Sequence, residues 1–289
     1  MKKTRSLLTT LIIVLAVIIY AVFFLKSAPG PEETLPNGGE LTVTFIDIGQ
    51  GDSELIQQGG NAVLIDTGEY SQRKKLADTL NSLGVTSLDY AISTHPHTDH
   101  MGSMDVVINT YNVRHIMMPD VTSTSVAFEK MMQAISDKGL RIERPVPGKS
   151  INAGSIELEI FAPNSSKYQD VNNSSIVAKL KWGKTSFIFE GDADALSEKD
   201  ILGKGFDVSA DVLKVGHHGS NTSTTDAYLD AVNPGMAVIS CAAGNIYGHP
   251  HKEVMDKLNK KGIAVYRTDT MGTITMHSDG VNITVETEK

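Results

Sequence analysis

Between Thr94 and Gly102 the chain reads Thr-His-Pro-His-Thr-Asp-His-Met-Gly, which places three imidazoles and one carboxylate within a single short stretch. At this spacing one tight loop can converge His95, His97, Asp99 and His100 on two metal ions. Nitrogen and carboxylate donors without thiolate suit zinc, manganese or iron, and an open coordination position would hold a water. A solvated polar loop is the bland alternative. A second stretch, Phe187-Ile188-Phe189-Glu190-Gly191-Asp192, ends an apolar run on glycine and aspartate. Glycine lets the backbone approach its surroundings closely and leaves the Asp192 carboxylate at the rim of a sheet, where it could bridge two cations. Taken alone, a strand followed by Gly-Asp is an ordinary turn; the histidine cluster gives it chemical meaning. A third stretch, Asp211 to Ser220, sets His217 beside His218 between glycines at a strand end. One imidazole then faces a site, and the other is a second ligand or a proton carrier. Two surface histidines are the alternative.

Such residues need strand ends to hold them. Strands are predicted at Leu41–Asp47, Asn61–Asp66 and Ser87–Ser93, where β-branched residues cluster, and the last runs directly into the histidines. Leu76, Leu80 and Leu83 recur at helical spacing, so a helix is predicted from Ser71 to Leu83, with Ser71 as its cap and Gly84 as its end. Further strands are predicted at Ile156–Phe161, Ser175–Lys181, Ser186–Glu190 and Asp211–Val215. A helix over Pro250–Lys261 uses Pro in its first turn, Val254 and Leu258 on one face and Gly262 after it. Strands near Ile263–Tyr266, Gly272–His277 and Val281–Glu286 complete the pattern. No internal repeat is visible, and the interleaving predicts an α/β sandwich whose strand-end loops carry the site.

The chain has 289 residues, 40% hydrophobic and 21% charged, enough to bury a core in one large domain. Its one cysteine, Cys241, cannot form an internal disulfide or a zinc finger and reads as a small buried residue. A net charge of -8 argues against a surface that grips nucleic acid mainly by neutralising phosphates. Lys2, Lys3 and Arg5 precede an uncharged apolar run from Leu7 to Leu25 that Lys26 ends. That run is long enough to span a membrane as a helix, and the basic flank places the N-terminus in the cytoplasm. The expectation is a single-pass membrane protein with its catalytic domain outside the cytoplasm; the alternative is a cleaved signal and secretion. Residues 27–39, with three prolines and three glycines, read as a linker, which gives an anchor at 1–26, a linker at 27–39 and a domain at 40–289.

The three chemical stretches, together with Phe45-Ile46-Asp47-Ile48-Gly49-Gln50-Gly51-Asp52 and Asn245-Ile246-Tyr247-Gly248-His249-Pro250, resemble the metallo-β-lactamase superfamily, and within it the hydrolase domain of ComEC-type competence proteins. The likeness covers nearly everything from Leu41 onward, without the multi-helix channel of those proteins. It implies an αββα sandwich in which His95 and His97 hold a first metal, Asp99 and His100 hold a second, Asp192 bridges them and His218 completes the second site. Zn²⁺ or Mn²⁺ is the implied pair of cofactors. The superfamily's usual third histidine of the first site is missing: Val171-Asn172-Asn173-Ser174-Ser175 stands in its place, and His115 lies too early to substitute.

Of the remaining polar residues, Asp66 is expected to orient a ligand histidine or to cap its strand. Asp47 and Gln50 belong to a glycine-rich turn that either faces an anion or is a plain turn. His249 is expected to contact a substrate phosphate or to cap a helix, and Asp194 to be a solvated helix-start carboxylate. A paired-cation site lowers the pKa of water towards about 7, with Asp99 in the machinery and His217 or His249 positioning or protonating a leaving group. The expected activity is hydrolysis of a phosphodiester, in DNA, RNA or a cell-envelope polymer. The alternatives are hydrolysis of a lactam, lactone or thioester, and a non-catalytic metal-stabilised binding module.

Overall fold

The computed structural model describes residues 39–289, so the predicted membrane segment Leu7–Leu25 and all but the last residue of the predicted linker lie outside the described residues. Among the described residues no helix is long and apolar enough to cross a membrane.

Two sheets lie at the centre. The first contains β1 (Leu41–Phe45), β2 (Glu54–Gln58), β3 (Asn61–Ile65), β4 (Ser87–Ile92), β5 (Asn112–Met117), β6 (Ile142–Glu143), β14 (Ile274–Ser278) and β15 (Ile283–Thr287). Their order is β15-β14-β1-β2-β3-β4-β5-β6. The second contains β7 (Ser150–Ala153), β8 (Ile156–Ala162), β9 (Val177–Trp182), β10 (Thr185–Phe189), β11 (Val212–Lys214), β12 (Met236–Ile239) and β13 (Ala264–Arg267), in the order β13-β12-β11-β10-β9-β8-β7.

Side chains that alternate across each strand explain the layering. Val43, Phe45, Val63 and Ile65 of one sheet meet Leu180, Phe187, Phe189 and Val238 of the other in a shared core. The residues between them turn outwards onto helices. Leu64 and Ala91 pack with Leu76 and Leu80 of the helix Arg73–Ser82 and with Met131 and Ile135 of the helix Val126–Asp137. Ile188, Leu213 and Ile239 pack with Ile201 of the helix Ala195–Gly203, Leu229 of the helix Asp226–Val232 and Leu258 of the helix Lys252–Lys260. Strands buried on both faces read as continuous apolar runs, as Phe187-Ile188-Phe189 does. The result is the expected αββα sandwich.

β3, β4 and β5 run parallel, as do β10, β11, β12 and β13. Parallel strands put their carboxyl ends on one edge, where the following loops gather. Asp66, the His95–His100 loop, Asp192 and the His217–His218 pair each follow such an end.

Strand boundaries agree with the predicted ones to within two residues, and the two predicted helices start later than expected. A 3₁₀ turn, Tyr70–Gln72, precedes the helix Arg73–Ser82; Ser71 donates its hydroxyl to Glu69 and caps nothing. The last predicted helix starts at Lys252 behind an extended His251, so Pro250 stands before it instead of in its first turn. β2 and the helices Met104–Thr110 and Val126–Asp137 are additional elements.

Candidate metal centre

The histidine loop is locked from below. Asp66, fully buried with φ 56, accepts hydrogen bonds from the Thr94 N–H (2.8 Å) and the Thr94 hydroxyl (2.6 Å). Its Oδ2 also accepts from His100 Nδ1 at 2.7 Å. Asp66 therefore orients His100, one of the candidate ligand histidines, as an outer partner would. Thr98–Met101 forms one helical turn, which swings Asp99 and His100 off the strand axis. Gly51 is required by proximity as well as by its φ of +137: a Cβ there would lie 2.2 Å from the Asp99 carbonyl oxygen. The Asp52 N–H donates to that same oxygen at 3.2 Å, so the loop after β1 is stitched to the metal-binding loop.

Two clusters of donors result. In one cluster Asp52, His100, Asp192 and His218 bring donor atoms within 4.8 Å of one another; His100 Nε2 is 3.1 Å and His218 Nε2 3.5 Å from Asp192 Oδ1, and Asp99 Oδ2 lies at its edge, 3.4 Å from His218 Nε2 and 4.0 Å from His100 Nε2. Donors bound tetrahedrally at about 2.1 Å from one ion sit roughly 3.4 Å apart, so this spacing fits a cation. In the first-metal cluster, His95 Nε2 is 3.0 Å from His97 Nδ1 and 3.7 Å from Asp192 Oδ2. Asp192 thus turns one oxygen to each cluster. His100 Nε2, His218 Nε2 and Asp192 Oδ1 are buried without a well-formed hydrogen-bond partner. Three orphaned polar atoms aimed at one point are costly unless something ligates them.

Asp52, which sequence reasoning left unweighed, completes the support. It is 1% exposed, its Oδ1 lies 3.2 Å from His218 Nδ1, and its Oδ2 accepts from Lys214 Nζ at 2.7 Å. His218 Nδ1 donates to the Ser240 carbonyl at 3.0 Å, which leaves Nε2 for the metal. Burial alone would raise the Asp52 carboxyl, yet the Lys214 ammonium and His218 draw it down to about 2. Burial, with the Asp52 charge beside it, pushes the neighbouring Glu54 carboxyl well above the carboxylate range. The only sequence signal for this network was a lysine inside the apolar strand Val212–Lys214.

Electrostatics at the ligands favour a cation. Burial opposes the charged form of His218, but Asp192 and Asp52 push it up to about 10. Burial likewise opposes charge on Asp192, and His100 and His218 hold that carboxyl well below its usual range. Cations replace those protons when the imidazoles ligate as neutral donors, so metal and proton compete.

A cleft of about 400 Å³ opens onto Asp99, Asp192, His217 and His218, with Gln50, Asn172, Tyr247 and His249 in its wall, and among the described residues no lysine or arginine lines it. Burial and the charges of His218 and His217 push His249 down to about 4, so it is neutral at pH 7 and suits hydrogen bonding more than delivery of a proton. Asp194 departs from expectation: it is 8% exposed and accepts from His217 Nδ1 at 3.1 Å, because the Ser220–Thr225 segment folds over it. Asp47 forms the plain turn, its Oδ1 accepting from the Gly49 N–H, while Gln50 reaches across to the Ala242 N–H. His115 is in neither cluster; it pairs with Glu143 and stacks on Tyr90. Cys241 is buried, which pushes its thiol up to about 12.

Known proteins resemble this chain in sequence and fold. The sequence profile of the family described as the metallo-beta-lactamase superfamily matches residues 46–243. ComE operon protein 3 of Bacillus subtilis (strain 168) is 34% identical over 254 residues, covering 81% of this chain and 33% of that protein. Competence protein ComA of Neisseria gonorrhoeae is 29% identical over 244 residues, 84% of this chain and 33% of that protein. The chain therefore spans about a third of the length of these curated relatives. The metallo-beta-lactamase fold protein YhfI from Bacillus subtilis superposes with a TM-score of 0.54 at 12% identity, over 78% of this chain and 95% of that one, which shows the shared fold. With sequence profile, fold and His/Asp cluster in agreement, the chain belongs to the metallo-β-lactamase superfamily of metal-dependent hydrolases, and its sequence relatives are competence proteins of the ComEC type.

Proposed function

We propose that this hydrolase cleaves phosphodiesters outside the cytoplasmic membrane, in DNA, RNA or a phosphodiester of the cell envelope. The observation that carries the reading is Asp192, whose two oxygens face separate donor clusters. Paired cations held on either side of this carboxylate would stabilise the attacking and leaving oxygens of a displacement at phosphorus. Zn²⁺ or Mn²⁺ held by His95, His97 and Asp192, and by Asp99, His100, His218 and Asp192, would supply Lewis acidity and lower the pKa of water.

The protein's own residues do the rest. Asp66 and the Ser240 carbonyl fix the tautomers of His100 and His218, so that each presents Nε2. Gln50, Thr98, Ser123 and Asn172 surround the cleft with uncharged donors for phosphate oxygens. Neutral His249, stacked on the half-exposed Tyr247 at 5.6 Å, hydrogen-bonds the substrate at the mouth. A wall without lysine or arginine suits contact with few phosphates and not the grip on a long polyanion. The competence names of the relatives point the phosphodiester towards DNA.

The full chain, reconstituted with Zn²⁺ or Mn²⁺, is expected to hydrolyse bis(p-nitrophenyl) phosphate or DNA faster than nitrocefin. Efficient nitrocefin turnover with no phosphodiesterase activity reverses this ranking. The proposed topology tethers the domain through Leu7–Leu25, so protease added to intact cells should digest residues from Ser27 onward. Protection of the domain, or its quantitative release into the medium, contradicts the tether.

A further inference from the structure

We infer that His217 is a ligand of the first metal, joining His95, His97 and Asp192 where the superfamily's usual third histidine is missing. The inference rests on the paired-cation reading above and assigns His217 to the metal and not to proton transfer.

His217 and His218 both adopt left-handed backbone, with φ 49 and φ 55. This conformation is unfavourable for a residue with a Cβ, so two in succession need a compensating gain. What they achieve is divergence. The rings stand 73° apart with centroids separated by 6.1 Å, and they reach different oxygens of one carboxylate. His218 Nε2 lies 3.5 Å from Asp192 Oδ1, whereas His217 Nε2 lies 3.7 Å from Asp192 Oδ2. His95 Nε2 is also 3.7 Å from Oδ2, so His217 and His95 approach the same oxygen at the same distance.

The back of the ring matches His217 to His100 and His218. A metal-bound histidine normally donates its other ring N–H to a carboxylate or carbonyl. His100 does so to Asp66, and His218 to Ser240. His217 follows the pattern through Nδ1, which is 3.1 Å from Asp194 Oδ1. That bond puts the proton on Nδ1 and leaves the Nε2 lone pair on the side of Asp192 Oδ2. His249 departs from it: its Nδ1 is buried with no hydrogen-bond partner among the described residues.

The test is titration of the chelator-stripped full chain with Zn²⁺ or Mn²⁺ alone, followed by calorimetry and by elemental analysis after dialysis. The parent should take up two equivalents. His217→Ala and His217→Asn, the latter chosen because asparagine tolerates left-handed backbone, should keep one equivalent at parental affinity. The other should weaken by at least the roughly 10–100-fold that loss of an outer partner costs. Asp194→Asn should weaken that same equivalent less, and His249→Ala should leave both unchanged, with near-UV circular dichroism reporting native packing in each variant. Parental affinity for both equivalents in the His217 variants overturns the assignment, as does equal weakening in His249→Ala. A parent that binds a single equivalent overturns the paired-cation reading and this assignment with it.

Discussion

Asp192→Asn is expected to strip at least one metal from the chain and to lower hydrolysis by roughly 100-fold or more, the scale on which a single preorganised electrostatic group matters. The substitution preserves volume and changes two things. It removes the negative charge that offsets repulsion between two divalent cations. It also converts one of two acceptor oxygens into an N–H₂ donor, so one cluster faces a group that cannot ligate. Since Oδ1 serves His100 and His218 and Oδ2 faces His95, neither amide orientation satisfies both sides. Asp226→Asn is the control, an exposed carboxylate in the first turn of the helix Asp226–Val232. Asp194 cannot serve, because it holds His217. Elemental analysis, circular dichroism and turnover decide: two metals per chain and near-normal turnover in Asp192→Asn would mean that another carboxylate bridges.

Lys214→Met should destabilise the fold by about 3–5 kcal/mol, the usual result of leaving half of a buried ion pair without its partner. Lys214 and Asp52 are each 1% exposed, and the Lys214 Nζ also donates to the Val215 carbonyl at 3.1 Å. With the ammonium gone, Asp52 is a carboxylate shut in beside Glu54. The pH dependence has a definite sign. In the parent the Asp52 carboxyl is drawn down to about 2, so its contribution is present above the unfolded value and is lost only as pH falls towards 2. In the variant the ammonium no longer holds that carboxyl down, although His218 still does, so its value rises from about 2 and the deficit relative to the parent narrows as acid protonates the carboxyl. Adding Asp52→Asn should recover part of the loss at neutral pH. Urea unfolding of the two variants and the parent measures this; a Lys214→Met deficit within about 0.5 kcal/mol would show that water reaches the pair.

What the sequence made legible was local. The ligand loop lies within one short stretch, and Asp192 and His218 follow apolar strands, so residue type and position sufficed. Asp52 and Lys214 are 162 residues apart, and their pairing exists only once the two sheets have docked. Asp194 looked like a helix-start carboxylate because the segment that covers it, Ser220–Thr225, comes from another loop. β2 escaped notice because Glu-Leu-Ile-Gln-Gln carries polar side chains on a strand that is almost wholly buried. The helix Met104–Thr110 contains Val106, Val107 and Ile108, whose branching favours strands; packing of Met104, Val107 and Ile108 onto the first sheet decides otherwise.

The stitching of the metal site across both sheets bears on when the ions are acquired. Donors from the β4 loop meet donors that follow β10 and β11, so no segment of the chain shorter than the span from His95 to His218 presents a complete site. On the proposed topology, a chain threaded through a membrane before folding would therefore travel without its ions and load them on the far side. The ion it carries is then set by which metal is free in the compartment where folding finishes, and only secondarily by the intrinsic affinity order of the divalent series. Growth conditions, as much as sequence, become a determinant of the enzyme's composition.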